Sequence, residues 1–178
     1  MSKSNNIIFQ GLHIVAWIIF IGLCIEAGAL AVNFIFSLYK PGIVPNLYQK
    51  LDMTTVYNNS KEVFFGVYSF ILAIAILKAH LFYKVIQLIS KLNLSKPFNT
   101  HVAEQITNIS YYIFSIGLIS YIARGVTKNL SHYGLDINSI NQFWADSQAY
   151  ILMAAVVYII ATIFSRGVEI QSENDLTV

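Results

Sequence analysis

Between Ile7 and Tyr39 the chain offers a long, mostly apolar run that contains a single acid, Glu26, in the stretch Gly22-Leu23-Cys24-Ile25-Glu26-Ala27-Gly28. At about 1.5 Å of rise per residue, this run crosses a hydrocarbon layer of about 30 Å with turns to spare. An ionised carboxylate at that depth costs several kcal/mol unless it is paired, protonated or wetted. Any fold available to this chain must therefore shelter Glu26.

Composition narrows the class further. Apolar residues make up 56% of the 178 residues and charged residues 11%, against roughly 25% charged in an ordinary soluble domain. A soluble protein of this size has too much surface to be so poor in charge. The net charge of +2 comes with no basic patch interleaved with aromatics, so direct nucleic-acid binding is not expected. The lone Cys24 makes neither an internal disulfide nor a metal site. Ala29-Leu30-Ala31 resembles a signal cleavage site. The apolar run continues through Val32 to Phe36, however, which predicts an uncleaved span.

Four apolar stretches follow one another, at about 7–39, 63–89, 106–123 and 149–164. Backbone groups in hydrocarbon must be satisfied within the segment, so each is expected to be helical. The expected fold is an all-α bundle of four transmembrane helices forming one domain over 1–178, with the lipid bilayer as its solvent and a polar tail from 165 to 178. Four spans put both termini on one side. Pro41-Gly42 ends the first span, and Asn99 or Thr100 is positioned to cap the third, with Glu104 in its early turns. Between spans three and four, Leu135, Ile137, Ile140, Phe143 and Trp144 recur at roughly helical spacing. They predict either a short surface helix with Trp144 at headgroup depth or a packed loop.

Charge counting leaves orientation tied. Lys3, Lys84, Lys91, Lys96 and Arg166 lie toward one side, and Lys40, Lys50, Lys61, Arg124 and Lys128 toward the other. Lys78, in span two but nearer the first group, tips the count toward cytoplasmic termini. If span two stops near Tyr83, Lys78 simply snorkels to that interface.

Two segments carry a family likeness. One is the connection Leu94-Ser95-Lys96-Pro97-Phe98-Asn99. The other is the end of the chain, Ile163-Phe164-Ser165-Arg166-Gly167-Val168-Glu169-Ile170-Gln171-Ser172-Glu173-Asn174-Asp175-Leu176-Thr177-Val178. Together they resemble a bacterial integral-membrane family known as domain of unknown function 2975. The resemblance implies a four-span protein of the bacterial inner membrane with cytoplasmic termini. It also implies a small helix-turn-helix regulator as partner, and Lys96-Pro97-Phe98 on the same face as the tail. It carries over no catalytic residue and no cofactor.

The residues themselves suggest a short set of sites. On a helix, Gly22, Ala29, Asn33 and Ser37 share the Glu26 face, a small and polar stripe suited to close packing, while Trp17, Ile21 and Ile35 suit lipid. Lys78, or Arg124 reaching inward along its stem, is the expected partner of Glu26. In span three, Ser115, Ser120 and Gly117 allow close approach, and Tyr111, Tyr112 and Tyr121 are available to serve Glu26 or line a cavity. His13 and His80 lie toward the same side and raise a haem-ligating pair as a remote option. The tail, through Glu173, Asp175 and Leu176, and the connection, through Lys96, Pro97 and Phe98, are the expected partner contacts. No nucleophile elbow, phosphate loop or carboxylate pair appears, so no enzyme is expected. Two readings remain. One is a non-enzymatic regulatory or accessory membrane protein whose tail meets a partner. The other is a small proton-coupled transporter using Glu26, working as a homo-oligomer.

Overall fold

A computed structural model of the chain describes residues 3–48, 51–92, 98–131 and 139–176. Helix α1 covers Lys3–Tyr39, α2 Thr54–Asn59, α3 Lys61–Lys91, α4 Thr100–Ser131 and α5 Ser147–Leu176. Short 3₁₀ turns occupy Pro41–Asn46 and Asn141–Phe143. The described residues contain no strand, only an isolated bridge between Leu47 and Leu51. Helices α1, α3, α4 and α5 are each long and apolar enough to cross a membrane. The fold is the expected all-α four-helix bundle, and its class is a multi-pass membrane protein.

The helices pack in chain order: α1 on α3, α3 on α4, and α4 on α5. Contact between α1 and α5 is glancing at most. The most apolar stretches of α1 and α5 are each 11% buried, against 39% for α3 and 44% for α4. Two central helices thus carry the core, and two edge helices spend most of their surface on lipid.

Each seam has a sequence cause. On α1, His13, Ala16, Phe20, Leu23, Ala27, Leu30, Phe34 and Ser37 recur at alternating spacings of three and four and turn toward α3. That repeat keeps one stripe facing an antiparallel neighbour. The register is fixed by named contacts. The His13 Nε2 lies 3.2 Å from the Ser90 hydroxyl, and the Phe20 ring packs 6.0 Å from Tyr83. The Tyr68 hydroxyl donates to the Leu30 carbonyl at 3.1 Å. Between α4 and α5 the backbones nearly touch at Gly117. A methyl group there would stand 3.0 Å from the Ile151 nitrogen and 2.8 Å from its side chain. Gly117 was expected to allow close approach, and it does. Of the expected small and polar stripe of α1, Ser37 is buried, whereas a methyl group on Gly22 would meet open space. Trp17, Ile21 and Ile35 are exposed, as their bulk suggested.

The end of the bundle opposite the termini, here the loop face, is closed by a folded cap. Val44, Leu47, Leu51, Met53 and Val56 are buried there beside Phe64 of α3. Ile140, Phe143 and Trp144 join the same core. The Ser139 hydroxyl donates to the Asp52 carbonyl at 3.0 Å and ties the two connections together. Trp144 is 1% exposed. Of the two expectations for this segment, the packed one describes 139–146; residues 132–138, with Leu135 and Ile137, lie outside the described residues. Local capping follows the sequence. The Ser60 hydroxyl accepts from the Val63 N–H at the start of α3, and the Asn99 side chain accepts from the Val102 N–H at 2.9 Å at the start of α4.

Helix α5 begins at Ser147, close to the expected start at about 149. It then runs past the apolar stretch without a break to Leu176. The segment read as a polar stub is helical over its described length. Alternating charges explain part of this, since Arg166 bonds Glu169 one turn on at 2.7 Å. Such an exposed pair contributes only about 0.3–0.5 kcal/mol. Packing at Gly167, described below, supplies a second hold.

Candidate functional site

Two places gather the residues that the sequence singled out. The first is the level of Glu26, near the middle of the four-helix span. The antiparallel register of α1 on α3 places Glu26 between the Phe20–Tyr83 and Leu30–Tyr68 contacts, level with about Ile74 to Leu77. Lys78 is therefore within one helical turn of that depth. The contact of His80 with Tyr112, at 4.7 Å between ring centres, sets α4 against α3. Gly117 then sets α5 against α4 and brings Tyr150 to the same level.

The Lys78 ammonium stands 5.9 Å from the centre of the Tyr150 ring, a cation–π approach. Among the described residues, no base lies within 4.0 Å of the Glu26 carboxylate. Glu26, Lys78 and Tyr150 are all partly buried, and the helix registers bring them to about one level of the bundle.

Several expectations are corrected here. Lys78 does not snorkel to the terminal face, because α3 continues to Lys91 and its ammonium turns toward Tyr150. It belongs to neither interface, so it cannot break the tie in the charge count. Arg124 is exposed on α4, toward the loop face, and makes no contact with Glu26. The tyrosines of span three do not serve Glu26. Tyr112 stacks on His80, Tyr121 is exposed, and Tyr111 lines a small apolar cavity of about 290 Å³ with Phe114, Ala155 and Tyr158. His13 reaches Ser90, ten residues of helix or about 15 Å from His80, which separates the two imidazoles. Among the described residues no group of His, Cys, Asp or Glu is arranged to hold a metal. Cys24 is exposed on α1.

Sequence reading missed Tyr150. Its only signal was position, one residue into a span whose start was uncertain.

The second place is the face that carries the termini. The Phe98 ring lies against Gly167, where an added methyl group would come within 2.8 Å of ring atoms, and packs 5.2 Å from the Phe164 ring. The connection and the extended helix are thus joined, as their shared face implied. Beside this joint, Phe98, Gly167, Ile170, Gln171, Glu173 and Asn174 line an open groove of about 730 Å³. Ile170 is exposed there. A further cleft of about 500 Å³ opens between α4 and α5, with Glu104, Asn108 and Glu169 among its walls. Lys96 and Pro97 lie outside the described residues. The backbone of Asp175 and Leu176 continues α5.

No curated protein and no solved structure matches the chain. A family model does match, over residues 46–178. The match takes in α2 to α5, with Lys78, Tyr150, Phe98 and Gly167, and begins after α1 and Glu26. With about three quarters of its length so matched, the chain belongs to the family described as protein of unknown function (DUF2975).

Proposed function

We propose that the chain is a non-enzymatic regulatory or accessory protein of the bacterial inner membrane, with both termini in the cytoplasm. The α5 extension is its contact with a soluble partner, a small helix-turn-helix regulator. The observation that carries this reading is the joint of Phe98 on Gly167. It braces a helix that leaves the membrane as a rigid element and presents Ile170 beside Gln171, Glu173 and Asn174. An ordered surface of mixed polarity offers a partner both apolar area and hydrogen bonds, and it loses little entropy on binding. Cytoplasmic termini follow from the family likeness, since the charge count stays tied.

The test uses the detergent-solubilised full chain with the purified candidate regulator. Deleting 167–178 should abolish the complex and change the transcripts the regulator controls. If the deletion alters neither, this reading is wrong.

A second reading is favoured by one observation, the meeting of Glu26, Lys78 and Tyr150 at one depth. Intramembrane ionisable residues mark ion pathways. On this reading the chain is a small proton-coupled transporter, acting as a homo-oligomer, with Glu26 as the coupling site. Comparing Glu26→Gln with Glu26→Asp in a flux or resistance assay decides it. Flux should be lost in the first and retained in the second, and wild-type behaviour of both removes the reading.

A further inference from the structure

We propose that the seam between α4 and α5 binds one phospholipid with an amine headgroup, its head in the polar cleft at the terminal face and one acyl chain in the apolar groove behind it. The site is independent of both functions proposed above.

The cleft and the groove are two parts of one channel. On α4, Thr100, Glu104 and Thr107 line the cleft, and Tyr111 and Phe114 line the groove. Steps of four, three, four and three keep these five residues on one stripe of the helix. On α5, Ile151 and Tyr158 line the groove and Ser165 the cleft. Each step there is seven residues, two turns, which returns to nearly the same face. The cleft of about 500 Å³ and the groove of about 290 Å³ therefore open on one side of the seam, one beyond the other. Glu104 and Tyr111 are about 10 Å apart along the axis. The apolar run of α4 begins at about 106 and that of α5 ends at about 164. The cleft thus straddles the membrane boundary, and the groove lies in hydrocarbon.

The linings differ as the two halves of a lipid differ. Among the described residues, Glu104 has no ion-pair partner, and Asn108 and Ser165 make no side-chain hydrogen bond. Glu169 is held by Arg166 at 2.7 Å, which sets a guanidinium at the rim of the cleft. Charges of both signs suit a zwitterionic head: the ammonium donates to Glu104, and the phosphate accepts from Arg166 and Ser165. A choline head has no N–H to donate, and a glycerol head brings no cation. In the groove, Ser110 and Ala154 form a buried floor between the exposed rings of Tyr111, Phe114 and Tyr158. Tyr111 and Tyr158 pack 6.3 Å apart and are among the groove residues nearest the cleft. Rings with one apolar body and one polar tip suit the level where an acyl chain meets its ester. An acyl chain leaves no polar group unsatisfied in hydrocarbon, whereas a peptide strand laid there would.

Native mass spectrometry of the full chain in detergent tests this, with dioleoyl phosphatidylethanolamine, phosphatidylcholine and phosphatidylglycerol offered in equal amounts. One phosphatidylethanolamine per chain should be retained, with a preference of roughly tenfold over the other two. Glu104→Gln should abolish that preference and leave the thermal midpoint unchanged, while Glu104→Asp keeps most of it. Ala155→Phe fills the groove from an exposed position and should lower retention of all three lipids; Ala155→Leu replaces it if the ring lowers the midpoint. Phosphoethanolamine, a head without a chain, should not displace the lipid at equal concentration. Equal retention of the three lipids marks an ordinary lipid shell and overturns the proposal. So does a preference that ignores Glu104→Gln, or retention that ignores filling of the groove. Displacement by phosphoethanolamine overturns it in favour of a soluble ligand.

Discussion

The two ends of the bundle are built on opposite plans. At the loop face, Val44, Leu51, Met53, Ile140 and Trp144 are buried in a continuous core, and the two connections are bonded to one another. At the terminal face, a small core of Val102, Ile106 and Ala161 lies beneath Phe98, which packs on Gly167 and Phe164 beside open grooves. A buried apolar core fixes shape and resists change. A small core with an exposed surface of mixed polarity beside it leaves more of its groups accessible than a closed cap does. The difference teaches that the two ends of one bundle can be held by cores of very different size.

Substitutions can break that contrast. The largest effect is expected from Trp144→Ala, which empties the cap and should cost about 3–5 kcal/mol, seen as a large drop in thermal midpoint in detergent. Gly117→Leu should follow at about 1–3 kcal/mol, since its side chain must push the α5 backbone away. Phe98→Ala removes a half-exposed ring and should cost about 1 kcal/mol while weakening the regulator complex. If it destabilises as much as Trp144→Ala, the terminal face is held as tightly as the cap and the contrast fails.

The smallest effect sharpens the loop-face side. Asp52 accepts from the Thr54 hydroxyl at 2.5 Å and from the Thr54 N–H at 2.9 Å, and these bonds hold its carboxyl below the ordinary carboxylate range. A lowered folded value contributes stability above the unfolded value, and that contribution is lost as pH falls through the folded one. Asp52→Asn should therefore lower the thermal midpoint slightly at pH 7, and the two curves should converge below about pH 4. A gap that persists in acid shows that the carboxylate charge is not what these bonds use.

Much of this was legible in the chain. Four apolar runs, the helix stop at Pro41-Gly42 and the Asn99 cap followed from composition and local chemistry. Gly117 and Phe98 were visible as a small residue in a serine-rich helix and as an aromatic in a conspicuous connection. The cap was not, because Val44, Leu47, Leu51, Met53 and Val56 are interleaved with Pro, Asn and Asp and follow no single period. The helical state of 165–176 was hidden because its polar residues say little until Phe98 packs on Gly167. Pairwise registers between helices, which decide whether Lys78 or Arg124 meets Glu26, are properties of packing and not of any one segment.

Helix α5 has no interruption between its contact at Gly117 and its described end. From Tyr150 to Leu176 it forms a lever arm of roughly 40 Å at 1.5 Å per residue, with its pivot where two backbones touch. A tilt of about five degrees at that pivot carries the tip about 3 Å, the scale on which a docked surface is gained or lost. Any shift in how α4 and α5 meet at Gly117 is therefore enlarged along α5 at the face where Phe98 packs.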